Sequence, residues 1–321
     1  MPFLSICIPA YNAANFIGRT LESILHQTVF FEIEVLIIDD GSTDSTKEII
    51  CDYAKKDNRI RLISRENKGV FYTRLQLIDE AKGTYILFCD ADDDYANENV
   101  YEVLYNYLSR EKYDILLFAH NLIEGDKITQ RYPFTTKEEI SNITPKELYE
   151  ATLAGKMVNY LPCKVIKRDC FDTKKYSSLW NVRNCEDKLI SFNCIKSAKS
   201  IAYLPQCLYN YYYNPQSITR SWNSKRYSDF FTIEDVIYKN IVEFGMDDAE
   251  HLTLYANGSI KMLIISSITE ILLSRIKWAE KIQHIRNIKQ FKVVKNTIEY
   301  MNYKSSKLKY SIILCLFKYL F

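Results

Sequence analysis

The first 120 residues alternate between short apolar runs and segments in which apolar residues recur at helical spacing. Apolar runs of about four to eight residues are typical of buried strands, and the helical period is typical of helices that cover a sheet. This alternation predicts an α/β fold, Rossmann-like, with a mostly parallel central sheet. The expected strands are Leu4–Ile8, Glu34–Asp39, Ile60–Ile63, Tyr85–Cys89 and Asp114–Ala119, and the expected helices are 16–25, 45–53 and 70–81.

The pattern changes twice further along the chain. Residues 121–225 are less regular and rich in aromatic side chains, and the chain beyond residue 226 has the periodicity of successive helices. Neither an internal repeat nor a low-complexity linker separates these regions. The change of pattern predicts two domains, the first at 1–225 around the sheet and the second a helical C-terminal region at 226–321, and the missing linker leaves the boundary near 225 soft.

Polar loops follow three of the expected strands: Pro9-Ala10-Tyr11-Asn12, the DDGSTD segment at 39–44 and the CDADDD segment at 89–94. In open α/β sheets ligands bind at the carboxyl ends of the strands, so the three loops are expected to form one site. An aromatic ring such as Tyr11 can stack on a nucleobase there, or it is an ordinary half-buried loop residue. The DDGSTD carboxylates can accept a hydrogen bond from a base, although its polar residues also suit the N-cap of the next helix.

The acidic loop at 90–94 is the strongest chemical signal. Adjacent carboxylates repel one another unless a cation neutralises them, and a divalent metal there can also hold a diphosphate. An EF-hand is excluded, because its glycine and glutamate positions are occupied by Tyr95 and Tyr101. A solvated acidic turn remains the alternative. On the helix before it, Arg74 can reach a phosphate or form a surface salt bridge.

Several other classes are not supported by the sequence. GxGxxG and GxxxxGK[ST] are absent, so dinucleotide oxidoreductases and P-loop NTPases are not indicated. The nine cysteines contain no CxxC pair and the four histidines no HExxH pair, which predicts buried thiols in a reducing compartment and no zinc site. No signal peptide opens the chain, so we expect a cytoplasmic protein. We also expect no nucleic-acid partner.

Charge is unevenly distributed along the chain. Residues 276–321 contain ten lysines or arginines and two glutamates, a net charge of +8, so the other residues carry −6 within an overall charge of +2. In residues 304–321, lysines accompany the apolar run Ile312–Phe317, which is far shorter than the about 20 residues of a membrane span. Such a segment suits a helix in the interface of an anionic membrane, or one packed on the protein's own core.

A second acidic pair, Glu186-Asp187, follows Trp180 and Cys185. A carboxylate beside a bound donor can deprotonate an acceptor hydroxyl, and an aromatic ring can pack against an acceptor sugar. Most such pairs, taken alone, are exposed surface charge.

Together these segments resemble family 2 of the glycosyltransferases, the inverting family with the A-type nucleotide-sugar fold. The resemblance covers about the first 225 residues and is carried by SICIPAYNAANFIGRTLESILHQT, EVLIIDDGSTDST, RENKGVFYTR and KGTYILFCDADD, with weaker likenesses in CKVIKRDCF (163–171) and LYNYYYNPQSIT (208–219). Two positions depart from the family pattern. Cys185 stands where a glycine often precedes the Glu-Asp pair, and Tyr212 stands where the tyrosine-rich stretch usually has an arginine. Both departures lie in the second half of the resemblance, where they bear on acceptor and diphosphate contacts, and they leave the donor half intact.

The resemblance implies an enzyme that transfers a sugar from a UDP-sugar, with inversion, to a glycan or polyprenyl-linked acceptor in cell-surface polysaccharide synthesis. It implies that Mn²⁺ or Mg²⁺ is bound by Asp92 and that Asp187 is the catalytic base. Donor contacts are implied for Pro9, Tyr11, Asp40, Arg74 and Asp90, and acceptor contacts for Glu186, Trp180 and Lys164. A polyprenyl-phosphate sugar synthase and an inactive nucleotide-sugar-binding protein remain alternatives. The oligomeric state, the sugar and the linkage stay open.

Overall fold

The computed structural model describes residues 1–135, 138–156, 158–179, 182–214 and 223–319. Its strands are β1 (Leu4–Ala10), β2 (Ile33–Asp39), β3 (Ile60–Ser64), β4 (Tyr85–Phe88), β5 (Asp94–Tyr95), β6 (Ile115–Glu124), β7 (Lys127–Arg131), β8 (Ser141–Ile143), β9 (Lys164–Lys167) and β10 (Ile201–Tyr212). Its α-helices are α1 (Ile17–Leu25), α2 (Thr46–Ala54), α3 (Val70–Glu80), α4 (Val100–Glu111), α5 (Pro145–Leu153), α6 (Glu186–Ser197), α7 (Ser224–Glu243), α8 (Ala249–Tyr255), α9 (Lys261–Leu273), α10 (Trp278–Ile288), α11 (Lys292–Thr297) and α12 (Leu308–Tyr319).

One sheet contains these strands, in the order β3-β2-β1-β4-β9-β6-β10-β5, with β7 beside β6 and β8 beside β10. The first four strands are parallel to one another, β9 is antiparallel to both β4 and β6, and β10 is parallel to β6. Along this path within the described residues, only β9 and β5 therefore run against the common direction. The predicted α/β fold with a mostly parallel sheet is confirmed.

Burial explains why the first strands form where the apolar runs predicted them. Every residue of β2 is buried, as is every residue of β4, which is typical of strands covered by helices on both faces. The helix α1 buries Ile17, Leu21 and Ile24 at helical spacing against this layer. Each expected helix and strand of residues 1–120 begins within one residue of its predicted start, although β6 ends five residues later than predicted and β5 and α4 were not predicted.

The chain forms two compact units. The first comprises Met1–Leu148, Met157–Arg183 and Ile190–Asn214, and it contains the sheet. The second comprises Tyr149–Lys156, Asn184–Leu189 and Pro215–Phe321, so its described part is largely helical. We call them the sheet unit and the helical unit. The second unit takes up two short segments from the middle of the chain, and the expected domain limit at 225 stays a prediction.

In the helical unit, α8, a π-helix (Ala256–Ile260) and α9 follow one another without a break. This run, Ala249–Leu273, is long and apolar enough to cross a membrane, with a mean hydropathy of 1.3 in its most apolar stretch, of which 39% is buried. One such helix is weak evidence for a span, because the core helix of a soluble protein has the same length and composition. The interpretation of 260–273 as a core helix stays a prediction.

Candidate active site

Three polar loops meet at one edge of the sheet. The strands β2, β1 and β4 are adjacent and parallel, so Tyr11 and Asp40, directly after β1 and β2, emerge at the same edge as Asp90, two residues after β4. The first two loops are bonded together: Asn12 Oδ1 accepts from the Thr43 backbone N–H at 2.8 Å. Topology therefore assembles the three loops, as the sequence predicted.

Pro9 opens a gap between two of these strands. Cys7 accepts a hydrogen bond from the Cys89 N–H at 3.1 Å, and Ala10 accepts one from the Asp40 N–H at 2.8 Å. Backbone groups alternate sides along a strand, so residue 9 faces β4 just beyond the last of these bonds. Proline has no N–H to continue the ladder. The chain after β4 is therefore free to leave the sheet and form the acidic loop.

Tyr11 and Asp40 differ in accessibility. Tyr11 is 43% exposed and can offer its ring to a ligand. Asp40 is buried, and its carboxylate accepts from the backbone N–H groups of Lys68 (2.8 Å) and Gly69 (2.9 Å) and from the Arg65 guanidinium. Asp40 thus holds the turn before α3 against the end of β2. Its contact with a uracil stays a prediction, and any such bond would add to these three.

Arg74 lies on α3 and is buried, and its Nη2 donates to Asp90 Oδ1 at 2.8 Å. Both residues were predicted to serve the diphosphate side of a donor. The structure brings them together as an ion pair, with the Asp90 side chain 26% exposed. A guanidinium paired in this way fixes the orientation of the carboxylate at the start of the acidic loop.

Two members of the acidic loop are anchors. Asp93 accepts from the Tyr209 hydroxyl and from the Tyr212 backbone N–H, both at 2.8 Å. Asp94 pairs with Arg19 Nε at 3.1 Å and accepts from Asn210 Nδ2 at 2.7 Å. These bonds fasten the loop to β10 and α1, so the two carboxylates are used by the fold.

Asp92 is different. Its carboxylate makes no hydrogen bond to another residue in the part of the chain that the structure describes. Burial, followed by the neighbouring charge of Asp90, raises the pKa of Asp92 to about 6. Ionising Asp92 is unfavourable because its carboxylate is buried and repelled by that of Asp90. A bound divalent cation would reduce this repulsion.

The donor set fits Mg²⁺ or Mn²⁺ bound together with a phosphate ligand. Within the described residues, no group of three or more His, Cys, Asp or Glu side chains is arranged to hold an ion alone. Magnesium is commonly bound by one or two carboxylates, with substrate phosphates and water completing its shell. Asp92, with Asp90 beside it, would supply the carboxylate ligands that the protein contributes.

Sequence reasoning missed the residues that hold this loop. Tyr209 is fully buried, accepts from the Asp90 N–H at 3.0 Å and donates to Asp93, about 120 residues away along the chain. Arg19 lies 3.6 Å from the centre of the Tyr212 ring as well as beside Asp94. The tyrosine-rich stretch was recognised only as a family likeness, and no signal singled out Arg19.

The second acidic pair begins α6, in the helical unit. Glu186 is buried and Asp187 half-buried, and both lie in the first turn, where the helix dipole favours negative charge. Cys185 before them has φ of +67°, a left-handed conformation that favours glycine. This explains physically why glycine suits that position. Trp180 lies outside the described residues.

Lys164, at the start of β9 in the sheet unit, is buried. Its Nζ donates to the Val158 carbonyl at 2.7 Å and to Ser191 Oγ at 2.9 Å. These bonds tie α6 to the segment before β9. The structure gives Lys164 this structural role, and its predicted acceptor contact stays a prediction.

A buried ionic network lies just after the acidic pair. Lys188 Nζ donates to Glu234 Oε1 at 2.5 Å and to Ser259 Oγ at 3.1 Å, while the Tyr255 hydroxyl donates to Glu234 Oε2 at 2.5 Å. Both charged side chains are less than a tenth exposed. The network fixes the first turn of α6 within the helical unit.

Comparison with known proteins places this architecture in a class. TarS of S. aureus, solved in complex with UDP-GlcNAc, superposes with a TM-score of 0.71 at 19% identity, covering 98% of this chain and 91% of that one. The chain therefore has the nucleotide-sugar glycosyltransferase fold of A type.

The family follows from sequence. The pattern of "Glycosyl transferase family 2" matches residues 5–173, more than half of the chain. The glycosyltransferase EpsJ of Bacillus subtilis (strain 168) is 31% identical over 225 residues, 68% of this chain and 63% of EpsJ. A poly(ribitol-phosphate) beta-glucosyltransferase of Bacillus spizizenii is 30% identical over 213 residues, 65% of this chain and 32% of that enzyme. The chain belongs to glycosyltransferase family 2, and it spans less than two thirds of the length of these relatives.

Proposed function

We propose that this protein transfers a sugar from a UDP-sugar to a hydroxyl of a glycan or lipid-linked oligosaccharide, with inversion, during the synthesis of a cell-surface polysaccharide. The observation that carries the proposal is the acidic loop: Asp90 is paired with Arg74, and burial and the charge of Asp90 raise the pKa of the Asp92 carboxylate beside it. A relative of 30% identity acts on poly(ribitol-phosphate), a polymer, which supports the acceptor class.

The donor is proposed to lie along the three loops. The exposed ring of Tyr11 stacks on the uracil, and Pro9 and Asp40 shape the floor of the base site. Asp92 would hold Mn²⁺ or Mg²⁺, which would supply positive charge to neutralise the diphosphate. The Arg74–Asp90 pair orients the ribose and diphosphate side.

The reaction is proposed as a single displacement. Asp187 takes the proton of the acceptor hydroxyl while that oxygen bonds to the anomeric carbon. The bond from this carbon to the diphosphate oxygen breaks at the same time, and UDP leaves with the electron pair. Attack from the opposite face converts an α-linked donor into a β-linked product.

Asp187→Asn tests the role of the base. Because asparagine cannot take the proton, sugar transfer should fall by about 10²–10⁴-fold while UDP affinity stays the same. The measurement is transfer of labelled sugar to a glycan acceptor, with Mn²⁺, after circular dichroism has verified the fold. Asp126→Asn, in the exposed turn between β6 and β7, is the matched control. Undiminished transfer by Asp187→Asn would remove the proposed base.

We also propose a cytoplasmic protein that binds the inner membrane surface through its tail. The helix α12 buries Leu314 and Phe317 within the helical unit and exposes Leu308, Ile312 and Leu316 beside lysines. An apolar stripe with adjacent lysines suits an anionic membrane interface. Membrane docking would bring the enzyme to an acceptor carried on a polyprenyl lipid.

A further inference from the structure

The helical unit contains a cavity of about 260 Å³ that the proposed donor site does not use. It lies among α7, α9 and the residue before α6. Its lining combines aromatic rings, hydroxyl groups and charged side chains: Cys185, Arg226, Tyr227, Phe230, Glu234, Leu263, Ser266, Ser267 and Glu270. Ligand pockets typically combine apolar walls with a few placed polar groups in this way.

The charges of this cavity balance. Arg226 pairs with Glu270 at 3.4 Å, and Glu234 is paired with Lys188. Burial raises the pKa of the Cys185 thiol, so this side chain stays neutral. A cavity with no net charge does not favour an anion, whereas its hydroxyl, carboxylate and guanidinium groups can bond to neutral hydroxyls.

One polar atom of the lining is unsatisfied. Arg226 Nε is buried and has no hydrogen-bond partner among the described residues, although the guanidinium lies 5.5 Å from the centre of the Phe230 ring. A buried N–H donor without a partner is unfavourable, because it has lost its hydrogen bond to water and gained none in return. A ligand oxygen in the cavity would supply the missing acceptor.

The cavity also adjoins the proposed base. Cys185 belongs to its lining and precedes Asp187 by two residues, in the same unit. The buried Lys188–Glu234 pair fixes this turn, and Glu234 itself reaches the cavity. An acceptor held there would therefore be held beside the turn that carries Asp187.

We propose that this cavity is an acceptor subsite that binds one neutral sugar ring, with Arg226 as its orienting donor. The inference rests on the proposed function and names the acceptor chemistry of the same enzyme. The volume is below the about 300–1,000 Å³ of pockets for drug-sized ligands, which suits a single ring. The rings of Tyr227 and Phe230 provide apolar walls, and Ser266, Ser267 and Glu270 provide partners for hydroxyls.

The test is direct binding to the full-length protein. The probes are the methyl β-glycosides of glucose, galactose and N-acetylglucosamine, with glycerol 3-phosphate as an anionic probe, and affinity is measured by NMR titration. Wild type is compared with Arg226→Met, which removes the donor, and with Ser266→Trp, which fills the cavity from an exposed position. Lys239→Met, on the same helix but exposed, is the matched control. Thermal unfolding verifies each fold.

We expect at least one neutral glycoside to bind wild type and Lys239→Met equally, to bind Arg226→Met about ten-fold or more weakly, and not to bind Ser266→Trp. Equal binding by all four proteins, or no neutral glycoside bound by wild type, would overturn the subsite. Loss of glycerol 3-phosphate binding in Arg226→Met would overturn the neutral class. UDP titration of wild type with Mn²⁺ separates the two proposals, because absent UDP binding contradicts the proposed function and leaves the glycoside result standing.

Discussion

The two units differ in whether their buried charges are paired with charges of opposite sign. In the helical unit, Lys188 and Glu234 neutralise each other, and Tyr255 and Ser259 occupy further hydrogen-bonding positions. In the sheet unit, the acidic loop places Asp92 beside Asp90, and Arg74 pairs with Asp90. Balanced charge of the first kind builds a scaffold, whereas a carboxylate with a raised pKa beside a second carboxylate, as in the second case, favours a cationic ligand.

The balanced network should show the largest effect on stability. Lys188→Met leaves the carboxylate of Glu234 buried without its cation, and we expect a loss of about 3–5 kcal/mol in the free energy of unfolding. Urea unfolding followed by circular dichroism measures it. The double variant Lys188→Met/Glu234→Leu should recover most of the loss, because no charge remains buried. A loss below about 1 kcal/mol in the single variant would contradict the comparison.

Removing the Asp92 carboxylate from the acidic loop should, by contrast, not lower the stability of the protein. Asp92→Asn removes a carboxylate whose pKa is raised on folding, so its charge opposes folding at neutral pH and its loss should not lower stability. UDP affinity in Mn²⁺ should fall by about 10–100-fold, measured by calorimetry. Asp93→Ala is the matched variant: it removes the acceptor of the Tyr209 hydroxyl and of the Tyr212 N–H, and the loss of both bonds should lower stability by about 1–3 kcal/mol. Tight metal-dependent UDP binding by Asp92→Asn would contradict the assignment.

His120, on β6, is a third kind of buried ionisable group, because it stays neutral in the folded protein. Burial, with a smaller contribution from Arg131, lowers the pKa of His120 to about 4. Below a pH of about 6.5, His120 is protonated in the unfolded chain but stays neutral in the folded chain. The free energy of unfolding therefore falls by about 1.4 kcal/mol per pH unit until about pH 4. His120→Gln should lose less stability over this range in urea unfolding series. Parallel pH profiles for the two proteins would show that His120 does not titrate in this way.

Uncompensated positive charge on the tail should give the smallest effect. Lys307→Gln and Lys309→Gln should each weaken binding to vesicles containing phosphatidylserine by about five-fold, since each lysine contributes about 1 kcal/mol near an anionic surface. Sedimentation with vesicles measures the bound fraction. Lys47→Gln and Lys127→Gln, exposed in the sheet unit, are the matched controls. If all four variants bind alike, the tail does not direct membrane binding.

The sequence predicted eight elements of the first 120 residues for a physical reason, although it missed β5 and α4. Buried strands and covering helices impose periods on apolar residues, and β1, β2 and α1 follow those periods closely. The three polar loops could be placed together because parallel strands share an edge. Local pattern was therefore sufficient for both the layer and the position of the candidate site.

Long-range partners could not be predicted in this way. The antiparallel β9 inside the sheet, the bond from Tyr209 to Asp93 and the pairing of Arg19 with Asp94 join segments far apart along the chain. Nothing in the local pattern around these residues encodes the partner. The acidic loop looked like one group of equivalent carboxylates, and only its tertiary contacts divide it into anchors and an open side chain.

The phenol of Tyr209 has a consequence for motion. It satisfies the Asp90 amide from β10 instead of from a neighbouring strand, so that amide stays protected from hydrogen exchange only while β10 is docked. Exchange at this single position would report the local opening of β10 at the acidic loop. The edge of the sheet that carries the three polar loops thus contains one amide whose exchange rate measures local unfolding.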